Sequence, residues 1–598
     1  MTIKNIRISH VRGIREMIIN DDIIKNRPNI LVAPNGFGKT SIATAFSSIS
    51  KHTSIKLADK DRHMHSEENK PQIELTVDGN GCPENLKATE NTRTNTVRKY
   101  FDIQVISDLR KIQAHTQYGS RRPKGKMIIP PIIICEKISR EVSPYKIREL
   151  KQIFGLHADA LPNMKSVLLE SNIFIMRCLE CNPYILTLTK KIHFDKIDEI
   201  RKQLSSYQGT MEEAKNAINQ SLTALINHLP ELKEFMTLIE KTGSIDQIDA
   251  FLLIWQILII ETNTPNALIK HLKWLRYSNI KKSLTQSIKD LNTSWKDVSI
   301  KETQGNLVVE LPDPEHISNG QRDILILISL LYITRYNLTK ERAILIIDEI
   351  FDYLDDANLT VAQYYISQLI NDYKHQGRSI YTIILTHLNP SFFYNYVFSK
   401  QNIVYLKTDL QHHSTPAMQK LIAARSDKTI PNTLLENISK YLVHYHTDDY
   451  DFRTELRTVS GTKSSWGKAG KFQEFLMKEF KKYKGDQPSD PLAICAITRY
   501  SIEKLAFQQI EHLPNANPKF FDTHTTRHKL DYATSLNANI PESHYLLRII
   551  FDDGLHWSPN QDTIPPISAK LTHPIIKKMI VNIVDLAYPD SIIQCIHS

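Results

Sequence analysis

Two segments about 300 residues apart hold the residue types that phosphate chemistry needs. The first is Pro34-Asn-Gly-Phe-Gly-Lys-Thr-Ser41. It follows Asn29-Ile-Leu-Val-Ala33, an apolar run of the buried-strand type, and leads into Ile42-Ala-Thr-Ala-Phe46, which can open a helix. Strand, glycine turn, Lys-Thr and helix make up the context in which backbone N–H groups cradle phosphate. Gly36 and Gly38 let the chain turn so that successive N–H groups point at phosphate oxygens, with Asn35 and Phe37 between and beside them. The helix N-terminus adds partial positive charge. Lys39 reaches the β- and γ-phosphates as a point charge, the Thr40 hydroxyl can ligate Mg²⁺, and Ser41 continues the turn. Ala33 stands where such turns usually begin with glycine.

The second segment is Ala343-Ile-Leu-Ile-Ile-Asp-Glu349, a buried parallel strand by pattern that ends in two carboxylates. Asp348 would hold Mg²⁺, directly or through water, and Glu349 would polarise an attacking water as general base. Phe351 to Asp356 follows as an acidic loop. Upstream, Ile317-Ser-Asn-Gly-Gln-Arg322 opens an apolar helix, with Ser318 as N-cap and Gly320 allowing close approach to an anion. Downstream, Tyr381-Thr-Ile-Ile-Leu-Thr-His387 reads as another buried strand ending in histidine.

In this order the segments resemble the ABC-type heads of the SMC/RecF group of ATPases. Asn35 to Thr40 matches Walker A, and Ser318-Asn-Gly-Gln321 resembles the signature motif. Ile347-Asp-Glu349 matches Walker B, Leu354-Asp-Asp356 resembles the D-loop, and His387 the switch histidine. Ile3 to Ile14 is similar to the first strand and turn of these heads, with Val11 where the family has an aromatic and Arg12 in the turn. Gln104, Gln113 and Gln117 are all candidates for the Q-loop glutamine.

The resemblance implies ATP and Mg²⁺ as cofactors and a head-to-head dimer with two ATPs between the heads. Lys39, Glu349 and His387 would serve hydrolysis. Ser318, Asn319, Gly320, Gln321 and Asp355 would meet nucleotide bound to the other chain. It also implies that Cys178-Leu-Glu-Cys181 is a zinc hook, in which two chains share one Zn²⁺. The other reading is two ordinary cysteines on a helical turn, and no heptad run is long enough for a coiled-coil arm.

The expected fold class is α/β, a split ABC-type head with a compact helical insert and a mainly helical C-terminal domain. The expected boundaries are a Walker A lobe at 1–135, an insert at 136–295, a second lobe at 296–412 and the C-terminal domain at 413–598. Met211 to Leu229 shows helical spacing that ends at Pro230, and Asp490-Pro491 is an N-cap followed by a proline at the first helical position. Only 18 glycines in 598 residues exclude collagenous and glycine-rich RNA-binding classes. The longest apolar run, Phe251 to Ile260, is too short to span a bilayer and reads as a buried helix or a subunit interface. Six cysteines do not make a disulfide framework, and the N-terminus lacks a signal-peptide core, so a reduced, cytoplasmic protein with no membrane contact is expected.

The net charge of +10 points to nucleic acid as a partner. Basic residues concentrate at Arg93–Lys126 and at Arg453–Lys484. The second stretch holds nine Lys/Arg against three Glu, with Trp466, Phe472 and Phe475 interleaved. The short insert and helical tail resemble the PtuA-like ATPases of the Septu and retron anti-phage systems. That resemblance implies an HNH-type nuclease partner, and in retrons a reverse transcriptase and its RNA–DNA hybrid. Two rivals are a RecF-like repair ATPase and an ATPase fused to a ribonuclease toxin using His524, Arg527 and His528.

Overall fold

β1 (Thr2–Val11) alternates apolar and polar residues and buries Ile3, Ile6, Ile8 and Val11, so one of its faces is core. β2 (Ile14–Ile19), β3 (Ile23–Ile24) and β4 (Pro28–Val32) follow, then helix α1 (Lys39–Ser50). Next come β5 (Gln72–Asp78), β6 (Asn85–Ala88), α2 (Val97–Tyr100) and β7 (Asp102–Ser107). β8 (Gln113–Gln117), β9 (Lys124–Ile128) and β10 (Ile132–Glu136) complete this stretch. The computed structural model describes residues 1–33, 36–50, 54–79, 82–91, 95–107, 113–117, 124–166, 172–240, 245–291, 298–312, 317–388, 398–406, 414–427, 429–513, 516–523, 525–556 and 564–589.

A helical segment comes next: α3 (Ile147–Phe154), α4 (Asn172–Glu180), α5 (Asn182–Leu188) and α6 (Lys191–Ser206). It continues with α7 (Met211–His228), α8 (Pro230–Glu240), α9 (Gln247–Asn263) and α10 (Ala267–Leu291). α7 starts at a capping box in which Thr210 and Glu213 satisfy each other's backbone, and Pro230 starts α8. α9 is the apolar run of the sequence, and it is enclosed from Ala250 to Glu261. Among the described residues no single helix is long and apolar enough to cross a membrane.

The chain then returns to β structure through β11 (Ser299–Thr303) and β12 (Asn306–Glu310). α11 (Asn319–Asn337), β13 (Arg342–Asp348), α12 (Asp356–His375), β14 (Ser379–Thr386) and β15 (Asn402–Tyr405) follow. β12 pairs antiparallel with β10, Ile133 opposite Val308, so the insert leaves and re-enters at adjacent strands. A five-stranded sheet runs β15-β4-β14-β13-β7. β13 is parallel to both β14 and β7, with Asp348 opposite Leu385 on one side and Ser107 on the other. Ala343 to Ile347 are fully buried, as a strand covered on both faces must be.

The chain divides into two units. One is Met1–Ile30, Gly38–Thr386 and Phe393–Ile403; the other is Leu31–Phe37, His387–Phe392 and Val404–Ser598. The second unit contains α13 (Pro416–Ala424), α14 (Asn432–Asn437), α15 (Arg453–Leu456), α16 (Lys471–Lys484), α17 (Pro491–Gln508) and further helices to Ala587. The helix that begins at Asn432 changes at Ile438 to the wider π winding, which runs to Val443. α17 is capped by Asp490, which accepts from Leu492 N and Ala493 N, and it is buried along almost its whole length. At its centre Glu503 accepts from His444, Tyr445 N, Thr526 and Lys529 at 2.7–3.1 Å.

The insert cysteines are packing residues. Cys178 and Cys181 are both 0 % exposed in the apolar core around α4–α9. Burial drives the Cys178 thiol well up and the Cys181 thiol to about 12, so both favour the neutral form. A hook shared by two chains needs exposed thiolates. Among the described residues no group of three or more His, Cys, Asp or Glu is placed to hold a metal.

Candidate functional site

The first cluster gathers where β4 meets α1 and where β13 ends. Gly36 (φ +87°) and Gly38 (φ +84°) both take the left-handed conformation that glycine adopts without strain. A Cβ on Gly38 would also stand 3.1 Å from Met17 Cε and 3.2 Å from Ile14 Cδ1. Ile42 N donates to Gly38 O at 2.9 Å, which makes the turn the first turn of α1. Lys39 is buried, with Nζ 3.3 Å from Glu349 Oε1. Thr40 is exposed beside it, and Ser41 is buried. Asn35 lies outside the described residues.

Asp348 is buried at the end of β13, and its Oδ1 has no hydrogen-bond partner. Burial, with Glu349 next to it, pushes its carboxyl up to about 7, against the opposing pull of Lys39. Glu349 itself has φ +53°, a conformation that costs a non-glycine residue of order 1–3 kcal/mol. Its N–H is tied to Leu385 O at 2.9 Å. Thr386 Oγ1 donates to Asp352 Oδ1, linking the end of β14 to the loop after Glu349. Asp352 also adds to the negative field on Asp348. Sequence reading placed Asp352 only within a general acidic loop, because nothing in Phe-Asp-Tyr marks one acid over another.

These donors fit a hard divalent cation: a buried acidic oxygen without a partner, a carboxyl held toward protonation by its neighbours, and a hydroxyl at a helix start. Arg12, at φ +48° in the β1–β2 turn, lowers the Asp348 carboxyl by its charge. Its side chain and backbone are both engaged with Asp61, through Nε–Oδ1 at 2.7 Å and N–O at 2.8 Å. The spacing of the sequence gave no signal for Asp61.

The second cluster joins the start of α11 to the start of α12. Ser318 caps α11 by accepting from Gln321 N, and Arg322 binds Asn319 Oδ1 at 2.9 Å and Asp323 Oδ1. Asp355 caps α12 through Asn358 N, and Asn358 Nδ2 returns to Asp355 Oδ2, both at 2.9 Å. A Cβ on Gly320 would lie 2.7 Å from Asn358 Nδ2 and 3.2 Å from Asp355 Oδ2. The glycine is therefore needed for close packing onto Asp355 and Asn358.

The other candidates separate from these clusters. Gln104 sits opposite Leu345, three residues before the Asp348 level, and its amide meets Asn337 and Val105 O. Gln104 is therefore directed away from the end of β13. Gln113 and Gln117 lie in β8, and their side chains are outside the described set. His387 is exposed directly after β14. His524 lies outside the described residues, while Arg527 and His528 are exposed and Arg527 faces Asp531 at 3.7 Å.

The interleaved aromatics of the second basic stretch are core residues rather than a stacking platform for bases. Trp466 is 2 % and Phe472 0 % exposed, and Trp466 packs on Phe475 at 4.8 Å between centroids. The cations remain on the outside. Lys471, Lys478, Lys481 and Lys482 share one face of α16, with Lys471 paired to Glu474 and Lys482 to Glu479. Arg93 and residues 108–112 and 118–123 of the first basic stretch lie outside the described residues.

No protein-family model matches the chain, and no curated protein matches it. Among solved structures the chain is similar to an Smc head domain with an extended coiled coil, bound to the C-terminal domain of ScpA, from Pyrococcus furiosus. That pair has 12 % identity over 68 % of this chain and 94 % of that one, with a TM-score of 0.29. It is also similar to an Smc head bound to the C-winged helix domain of ScpA, at 11 % identity over 66 % and 91 % of the two chains and TM-score 0.25. A third likeness is to an Smc head with a coiled coil and joint from Pyrococcus yayanosii, at 14 % identity over 68 % and 96 % and TM-score 0.23.

Proposed function

We propose that this chain is an ABC-type ATPase that serves as the sensor and regulatory subunit of an anti-phage complex and restrains an HNH-type nuclease. The observation that carries the ATPase reading is the buried, partnerless Asp348 Oδ1 beside a Lys39–Glu349 pair. A buried carboxylate is kept in that condition when a ligand completes it. Thr40 and Asp348 would hold Mg²⁺, which supplies neutralisation of phosphate charge. Lys39 turns from Glu349 to the β- and γ-phosphates, and the backbone N–H groups at Gly36–Thr40 orient them. Glu349, freed from Lys39, accepts a proton from the attacking water at its carboxylate. His387, exposed directly after β14, is assigned the role of the switch histidine.

Ser318, Asn319, Gly320 and Gln321 together with Asp355 form the face assigned to a second chain's nucleotide. ATP binding then closes a homodimer and hydrolysis opens it. The defence role is supported by the resemblance of the motif set and by the compact insert, which has a core of its own. The retron RNA–DNA hybrid, with its reverse transcriptase, is the nucleic-acid partner assigned to the lysine face of α16.

The experiment is ATP turnover and phage plaquing with Lys39→Ala and Glu349→Gln. Both should be lost with the fold intact, and undiminished hydrolysis in either purified variant overturns the site. Co-purification with an HNH nuclease supports the defence reading. DNA-stimulated hydrolysis with no nuclease partner and a repair defect on deletion overturns it in favour of a RecF-like role. RNA cleavage by the pure chain, lost on changing His524 or His528, overturns it in favour of a toxin.

A further inference from the structure

A cleft of about 550 Å³ opens where α4, α5 and α10 of the insert meet β10 and the link from α11 to β13. That volume is in the range of small-molecule sites. Its polar groups are unevenly matched. Lys273 and Arg276 lie three residues apart on one face of α10 and both line the cleft. The Arg276 guanidinium stacks on the Tyr336 ring at 5.0 Å and donates one N–H to Tyr336 O. Among the described residues no carboxylate pairs with it, although an arginine has five donors.

Burial and the nearby Arg378 charge push Arg276 below the usual guanidinium range. Two arginines close by are paired, Arg177 with Glu180 at 2.8 Å and Arg335 with Asp372 at 2.6 Å. Lys340 adds a third cation to the wall, and its Nζ donates to Arg98 O. The acid that faces it, Asp102, is 3.8 Å away and already accepts from Thr339 N and Lys340 N. Of the two acids on the wall, Glu180 is engaged by Arg177 and Glu136 is exposed.

A second set of groups faces the same space. Asn182 Oδ1 is buried with no donor, which leaves an acceptor that wants an N–H or O–H. Met176, Leu179 and Ile269 give an apolar wall. An inorganic anion would satisfy the cations and leave both of these unused.

We propose that this cleft binds a nucleoside 5′-monophosphate. Its phosphate sits on Arg276 and Lys273, its base lies on the apolar wall, and the Asn182 amide, which lines the cleft, turns so that its buried Oδ1 accepts from an amino or hydroxyl group. The site is separate from the turn at Gly36–Thr40, and the inference stands whether or not that turn hydrolyses ATP.

The test is calorimetric titration of the full chain with each of the four ribonucleoside 5′-monophosphates and with inorganic phosphate. It is repeated on Lys273→Glu, Arg276→Gln, Asn182→Ala and Lys39→Ala. Lys273 is exposed, so its reversal keeps the fold even if Arg276→Gln does not. At least one monophosphate should bind saturably. Lys273→Glu should weaken it tenfold or more at unchanged melting temperature, Asn182→Ala should weaken it severalfold, and Lys39→Ala should leave it intact. Absence of saturable binding overturns the proposal, as does binding indifferent to Lys273→Glu. Binding lost with Lys39→Ala belongs to the phosphate turn, and inorganic phosphate binding as tightly as every monophosphate removes the nucleoside. Either result also overturns it.

Discussion

Two buried groups of charges, one in each unit, differ in how completely they are paired. Around Glu503 every lone pair has a use: His444, Tyr445 N, Thr526 and Lys529 all donate to one carboxylate that is 0 % exposed. Burial alone would raise the Glu503 carboxyl, but His444 and Lys529 hold it well below the usual range. Around Asp348 the accounting is open. One oxygen lacks a partner, the carboxyl is raised to about 7, and Glu349 is held at φ +53°. A closed cluster needs nothing from outside and fixes a fold, whereas an open one stores a cost that a ligand removes. Burial of charge therefore does not mark a functional site. Incomplete pairing of a buried carboxylate is what nominates Asp348.

The largest effect should come from the open cluster. Glu349→Gln removes the proposed general base and should cut ATP turnover by about 10²–10⁴-fold in a phosphate-release assay, with normal circular dichroism. The closed cluster should respond in stability instead. Glu503→Gln leaves Lys529 buried without its counter-charge and should cost about 3–5 kcal/mol in urea unfolding, while leaving the chemistry of the first unit unaltered. Loss of ATP turnover in Glu503→Gln with an unchanged urea midpoint would erase the contrast.

The two clusters should also depend on pH in opposite directions. The Asp348 pKa is raised on folding, so its contribution is present below the unfolded value and is lost as pH rises toward about 7. Asp348→Asn should therefore stabilise the nucleotide-free protein at pH 8, by roughly 4 kcal/mol, while abolishing Mg²⁺-dependent hydrolysis. The Glu503 pKa is depressed, so its contribution is present above the unfolded value of about 4.5 and is lost as pH falls below it. Urea midpoints from pH 3.5 to 8 for the two variants give both signs.

Smaller effects sharpen the contrast. Gly320→Ala presses a methyl on Asn358 Nδ2 and Asp355 Oδ2, and should slow turnover about tenfold, equivalent to ~1.4 kcal/mol, without unfolding. Lys478→Glu with Lys481→Glu on α16 should lower the salt dependence of nucleic-acid binding by roughly two charges and leave turnover unchanged. A strong zinc chelator should leave the melting temperature of the chain where it was, because Cys178 and Cys181 are packed as thiols.

Local chemistry made much of this legible. The strand–turn–helix at Asn29–Phe46, the N-caps at Ser318 and Asp490 and the stop at Pro230 all depend on neighbours in sequence, and all form where their residues predict. Long-range facts were not legible. Trp466 and Phe472 alternate with lysines as they would on a base-stacking surface, yet both are core: Phe472 is on the inward face of α16 and Trp466 in the short turn before it, and only packing chooses which side faces inward. Gln104 lies on the right strand and meets Asn337, a choice made by α11 and not by β7.

The sequence by itself determined the strand, glycine turn and helix around Gly36–Thr40, the paired carboxylates after a buried strand, and the helical character of the insert and tail. Each of these is written in spacing over fewer than about 20 residues. Tertiary structure alone decided which charges were completed and which left open. The Lys39–Glu349 pair joins positions about 310 residues apart, and Glu503 reaches His444 and Lys529 from two directions. The free energy of a buried charge is set by what surrounds it in space, and chain order does not specify that.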